Sequence, residues 1–410
     1  MNGFQTKRLI ELCTKIGSGA TPRGGKETYL KHGNIFLIRS QNVLDFSFSL
    51  DGGAYISDEQ ARLLDGVRVH KDDVLINITG DSVARVCSVP DYINEARVNQ
   101  HVAILRSNPS LLSNQFLKYY LLQPQIKSLL LTLSSAGATR KALTKGVLEN
   151  FKIDLPPLPL QRRIAEILGA LDDKIKLNRQ MNQTLEQIAQ ARYKHYFIDD
   201  IDPENLPEGW KFKTVKDYGK IVCGKTPSKK VSSYFNGRIP FIKIPDMHNH
   251  IFILKTEDSL TEVGADSQKN KYLPEGSICV SCIATVGLVG ITTKESQTNQ
   301  QINAIIPKSV IDKYFLFFTL KDLKKDLIDL GSGGTATLNV NTSLFSDIEI
   351  ISPAFDIKQK FHYLVEPLFG LMLNNDVEIE SLKTIRDTLL PKLLLGELIP
   401  ADLEPIEQTL

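Results

Sequence analysis

Residues 155–197 read LPPLPLQRRIAEILGALDDKIKLNRQMNQTLEQIAQARYKHYF. Proline ends extended chain and can open a helix, so the run predicts a strand end near Leu155 and a long helix from about Leu160 to Phe197. Steps of four and three through it pick out Ile164, Leu168, Leu171, Ile175, Asn178, Asn182, Leu185, Ala189, Arg192 and Tyr196. Moving 197 residues on, the same steps give Phe361, Val365, Leu368, Met372, Asn375, Ile379, Leu382, Arg386, Leu389 and Leu393. Two such stripes are the seam of a coiled coil. The competing reading is an amphipathic helix on a local core. Asn178 and Asn375 hold the same place in both stripes. A polar amide in an apolar seam fixes register, because only one alignment satisfies it. Pro367 lies inside the second stretch, which predicts a kink or a late start there.

The repeat extends outward from the helices. Thr21-Pro22, Tyr29 and Gly33–Arg39 are answered by Thr226-Pro227, Tyr234 and Gly237–Lys243. Asp73–Ile78 is answered by Ser277–Cys282, Asn99-Gln100 by Asn299-Gln300, residues 135–139 by 332–336, and Pro156 by Pro353. The offset falls from 205 to 197, as two diverged copies with small loop deletions would give. Before each helix, short β-branched runs alternate with Gly, Pro, Asn and Asp, which reads as mostly strand. Amphipathic stretches at Gln115–Leu133 and Tyr314–Leu330 read as a helix inside each body. The expected class is α+β: two strand-rich bodies separated by two long helices in an antiparallel coiled coil, with an internal pseudo-twofold. The segments are 1–155, a helix over 156–198, an acidic linker 199–206, then 207–352, a helix over 353–396 and an acidic tail 397–410.

At 410 residues, with 42% hydrophobic and 23% charged residues, the composition is that of a globular chain and excludes disordered and collagen-like classes. Five cysteines make no disulfide framework, and neither a membrane-length apolar run nor a signal peptide is visible, so a soluble cytoplasmic protein is expected. Residues 1–155 carry 19 Lys and Arg against 14 Asp and Glu, and residues 207–352 carry 18 against 15, leaving the bodies at +5 and +3. Two basic bodies suit a polyanion touched at two places.

Most catalytic patterns fail. Gly219–Thr226 matches a phosphate loop letter for letter, but a polar stretch precedes it and Pro227 biases Thr226 away from helix. Cys279 and Cys282 have no second pair and, three apart on a strand, face opposite ways. No methyltransferase, nuclease or hydrolase motif is visible, so no catalytic residue and no metal ligand is expected. What repeats is a set of loops rich in donors. Thr21 and Arg23 are answered by Lys225, Thr226, Lys229 and Lys230; Arg39, Gln41 and Asn42 by Lys243; and Thr139, Arg140 and Lys141 by Thr335. Gly and Thr let a backbone approach phosphate, and Arg, Lys, Gln and Asn reach base edges, so these are the candidate DNA contacts. Solvated turns are the competing reading. The loops differ between copies while the strands match, as in two bodies reading different sequences.

Over nearly its whole length the chain resembles the specificity subunit of type I restriction-modification enzymes. The Thr-Pro loops, the Asn-Gln pairs, the Leu155–Gln161 lead-in and the long helix behind it carry that likeness. The second lead-in, Ser352–Asp356, departs from the double proline. The resemblance implies a non-catalytic subunit whose two target recognition domains read the halves of a split site in double-stranded DNA. It implies helices that space the readers and dock two modification subunits, with restriction subunits as further partners. S-adenosylmethionine, ATP and Mg would then belong to partner subunits, and none to this chain. The alternatives are a self-contained methyltransferase or nuclease, and a coiled-coil adaptor that binds no DNA.

Overall fold

The computed structural model describes residues 4–135, 141–332, 338–398 and 400. The chain divides into two units, Met1–Ile175 with Ser381–Leu410, and Lys176–Glu380. In the first, strands Cys13–Ser18, Val102–Ser107, Val74–Asn77 and Val86–Ser88 form an antiparallel sheet in that order. A smaller sheet places Ile35–Ile38 between Tyr55–Ile56, antiparallel, and Ala96–Val98, parallel. A two-stranded ribbon pairs Gln5–Arg8 with Lys152–Leu155.

The second unit repeats this order. Its larger sheet runs Gly219–Cys223, Ile302–Pro307, Ile278–Ser281, Val289–Thr292, with Phe252–Ile253 added at the edge. Its smaller sheet places Phe235–Ile242 between Asp258–Leu260 and Gln297–Thr298, and Lys211–Thr214 pairs with Glu349–Ser352. This is the expected α+β repeat.

The unbroken apolar runs follow from burial on both faces. Val74 and Ile76 point to a core shared with helices, whereas Leu75 points to the core under the smaller sheet. Ile278 and Val280 part from Cys279 in the same way. Cys279 and Cys282 fall in different cores, so that pair packs rather than chelates.

Each helix expected inside a body is two helices. Asn114–Leu122 and Pro124–Ser135 break at Gln123, which Pro124 forces to an extended ψ of 137°. Lys313–Asp322 and Lys324–Gly331 break at Leu323 with no proline.

The long helices are Leu158–Phe197, here α1, and Phe355–Leu394, here α2. The first unit takes residues 158–175 of α1 and 381–394 of α2, and the second takes 176–197 and 355–380. The helix α2 neither starts late nor stops at Pro367. That proline withholds a hydrogen bond from the carbonyl of Tyr363, an exposed residue open to solvent. Within each unit the helices run antiparallel. In the first, Ile164 and Leu168 share a core with Leu390, Leu393 and Leu394, while Asp172 meets Arg386. In the second, Asn178 donates to Glu378 and Asn182 to Asp376 and the Met372 carbonyl. The α2 stripe is buried or half-buried throughout. The α1 stripe holds to Ala189 and then departs: Arg192 is exposed, and Tyr193 and Phe197 are buried instead. Steps of four from Ala189 to Phe197 turn the helix onto an aromatic core with Phe315, Phe318 and Phe361. From Ala189 on, the helix packs on a local core, as the competing sequence reading expects.

Candidate nucleic-acid interface

Four loops of the first unit follow strand ends. After Ile35–Ile38 the chain makes a tight turn, Ser40–Asn42, in which the Arg39 amide donates to Asn42 Oδ1 at 3.0 Å. The Asn42 side chain is wholly buried, and its amide donates to the carbonyls of Ser49 and Asp51. It holds the loop rather than facing outward. The Arg39 guanidinium donates to the Gly52 carbonyl and lies 5.5 Å from the Tyr29 ring centre, while the Gln41 amide reaches the carbonyls of Asp51 and Gly52 at 3.1 Å. In the second unit the Lys243 amide donates to Asp246 Oδ2 at 2.8 Å, the same turn. The Lys243 ammonium pairs with Asp258 at 2.5 Å, and that hydrogen bond holds its pKa above the usual lysine value.

The Thr-Pro loops are set by glycines under close approach. A Cβ on Gly19 would stand 1.7 Å from the Val98 carbonyl oxygen, and one on Gly224 would stand 2.1 Å from that of Asn299. Thr21, Arg23, Lys225, Lys229 and Lys230 are exposed. Thr226 is half-buried and donates to Gln300 Oε1 at 2.8 Å. The phosphate-loop look-alike is thus a strand, Gly219–Cys223, and a turn whose Lys225 amide is bonded to Thr298. No helix starts at Lys225.

The repeated Asn-Gln pairs have a structural reason. Asn99 Oδ1 accepts from the His101 amide at 3.0 Å and Asn299 Oδ1 from the Gln301 amide at 3.1 Å, so each buried asparagine shapes the turn into the next strand. The neighbouring glutamine then reaches sideways, to His101 in one unit and to Thr226 in the other.

These loops bound a cleft of about 450 Å³ in the first unit, lined by Ser40, Gln41, Thr79, Ser82, Arg85 and His101 and by the turn at Gly80-Asp81. Thr79 Oγ1 is 2.6 Å from His101 Nδ1, and the Gln100 amide nitrogen is 2.9 Å from Nε2. Both ring nitrogens of His101 are therefore occupied. Arg85 is half-buried, and among the described residues its guanidinium has no hydrogen-bond or ionic partner. Lys141 is exposed beside the cleft, its carbonyl bonded to the Gly80 amide. Thr139, Arg140 and Thr335 lie outside the described residues. The sequence reading missed Thr79, Asp81, Ser82, Arg85 and His101. Among the described residues, no group of His, Cys, Asp and Glu could hold a metal, and no helix is long and apolar enough to cross a membrane.

The model of the type I restriction modification DNA specificity domain matches residues 1–187 and 207–375, once for each copy. The chain belongs to that family. It is 35% identical, over an alignment of 435 residues, to the type I restriction enzyme HindI specificity subunit of Haemophilus influenzae, covering 89% of this chain and 94% of that one. It is 32% identical over 306 residues to the MjaIX specificity subunit of Methanocaldococcus jannaschii, covering 68% of each. Among solved structures, the type I S subunit from M. genitalium matches with a TM-score of 0.60 over 98% of this chain and 97% of that one, at 16% identity. That likeness is one of fold. A type I specificity subunit recognises DNA and is not itself an enzyme, which accounts for donor-rich loops in a chain without a catalytic motif.

Proposed function

We propose that this specificity subunit reads a bipartite DNA site with two target recognition domains, residues 1–155 and 207–352. The observation that carries this reading is the pair of loop clusters on equal strand orders with different side chains. Thr21, Arg23, Lys141, Lys225, Lys229 and Lys230 are exposed donors suited to phosphates, and Gln41 lines the first cleft in the turn that Arg39 opens. Asn42 supports its loop. The helices α1 and α2 space the readers and offer docking surface to two modification subunits, with restriction subunits completing the assembly. Asn178, and Asn375 through Asn182, set the register of the pair. S-adenosylmethionine, ATP and Mg are handled by those partners, in the cytoplasm, and this chain carries no cofactor.

The test is to assemble the chain with its modification subunits and sequence the adenines methylated. Two fixed half-sites separated by a fixed spacer support the reading. A single continuous site would refute it, as would methyl transfer or cleavage by the isolated chain. Binding by the complex should weaken steeply with salt and stay selective for sequence.

A further inference from the structure

The cleft of the first unit has a counterpart in the second, fixed by backbone hydrogen bonds rather than by letters. The Asn77 amide donates to the Arg85 carbonyl, and the Ser281 amide to the Leu288 carbonyl. The Ala84 amide donates to the Asn77 carbonyl, and the Gly287 amide to that of Ser281. The Gly80 amide donates to Lys141, and the Ala284 amide to Leu338. Both turns begin and end with a positive φ: 77° at Gly80 and 65° at Ala84, 63° at Ala284 and 85° at Gly287. One residue is missing between these ends in the second copy, so Arg85 corresponds to Leu288. The turn after Arg39 likewise equates Ser40 with Ile244 and Gln41 with Pro245.

The same place is therefore polar in one reader and apolar in the other. Leu288 packs on the core cluster that includes Ile244 and Met247. In the first unit the space is open, and Arg85 and Asp81 both line it. A carboxylate in the cleft repels a phosphate, so the guanidinium there is placed for a neutral base edge. In the major groove, guanine O6 and N7 accept both arms of an arginine, and cytosine N4 donates to a carboxylate. A G·C pair offers these groups side by side.

We propose that Arg85 and Asp81 read one G·C pair in the half-site of the first domain, and that the second domain has no equivalent reader at Leu288. Arg85 takes guanine O6 and N7, Asp81 accepts from cytosine N4, and His101, with both nitrogens occupied, forms the cleft wall. This inference rests on the bipartite reading above.

The experiment measures methylated motifs and affinities for the assembled complex carrying Arg85→Ala, Arg85→Lys, Asp81→Asn or Leu288→Ala. Arg85→Ala should abolish the G·C requirement at one position of one half-site and weaken binding to the cognate site roughly 5- to 150-fold. Arg85→Lys should restore it at most in part, because an ammonium lacks the rigid planar fork that matches guanine O6 and N7, whereas a phosphate contact would survive that change in full. Asp81→Asn should relax the same position. Leu288→Ala should leave that half-site unaltered. Full rescue by lysine, equal weakening on all sequences, or a wild-type half-site without a G·C pair would overturn the assignment. If Arg85→Ala and Leu288→Ala instead change the same half-site, the two-reader model itself fails.

Discussion

The guanidinium of Arg386 lies 3.5 Å from the centre of the Phe46 ring, and Phe46 holds a backbone φ of +64°. Arg386 is on α2, and its Nη1 donates to Asp172 on α1 at 2.8 Å. Phe46 donates its amide to the Val86 carbonyl, and Val86 donates back to Asp45 Oδ1. Val86 follows Arg85, and Asn42 opens the loop that contains Phe46. One arginine thus joins the helical pair to the turns that bound the first cleft.

Arg386→Ala should cost about 2–3 kcal/mol of stability, because it strips the ring and leaves the little-exposed Asp172 with only Tyr119, at 2.7 Å, and Lys118, at 3.6 Å. Urea unfolding of the purified chain measures this. Arg386→Lys should recover part of the loss, since it keeps charge but not the flat face. An Arg386→Ala variant as stable as the wild type would mean that the contact contributes nothing.

Gly224→Ala should destabilise the second domain by about 1–3 kcal/mol, as overpacking does, because the new methyl meets the backbone of Thr298 and Asn299 as well as Thr298 Oγ1. Lys225→Ala, one residue on and exposed, should leave the unfolding midpoint unchanged and weaken DNA binding evenly across sequences. Loss of nucleotide binding by the complex on Lys225→Ala would restore the phosphate-loop reading.

His362 is 2% exposed, stacked on Tyr314, with Nε2 at 3.6 Å from Glu366. Burial holds its pKa below the ordinary histidine value; Glu366 and Asp312 oppose this and Lys313 adds to it. A depressed pKa means that the unfolded chain binds the proton more readily. The contribution is complete above the unfolded pKa, near 6.5, and is lost as pH falls through the folded value. Unfolding midpoints at pH 7.5 and 5.5 should therefore differ more for the wild type than for His362→Phe, which fills the same slot without titrating. Equal pH slopes would remove His362 as a cause.

The repeat and both long helices were legible because an apolar stripe and an ordered set of matches survive divergence. The stripe misleads only after Ala189, where α1 turns onto an aromatic core and the spacing changes to four. The break at Gln123 was visible as Pro124, but the break at Leu323 has no local signal. The cleft was hidden for another reason. A single deletion between Gly80 and Ala84 puts Arg85 out of step with Leu288 in the letters, and only the hydrogen-bond ladder realigns them. Asn42 looked like a base reader because a sequence shows its amide and not the three partners that occupy it.

The last prediction concerns length. If the helical pair spaces the two readers, lengthening both helices should widen the DNA spacer and leave the half-sites unchanged. The insertion cannot go near Lys194, because Tyr193 and Phe197 are buried in the core of the second domain. It belongs after Ile175 in α1 and after Glu380 in α2, where the chain passes from one unit to the other. Four residues in each add about 6 Å, little more than one turn, so the stripes stay nearly in phase. B-DNA rises 3.4 Å per base pair, so the spacer should grow by roughly one or two base pairs. The Asn178–Glu378 and Asn182–Asp376 bonds lie together on one side of the insertions and should persist, keeping the register of that half. Sequencing the adenines methylated by the variant complex reads out both spacer and half-sites. Retained activity at the original spacing would assign the distance to the partner subunits, and altered half-site bases would mean that readers and helices do not act separately.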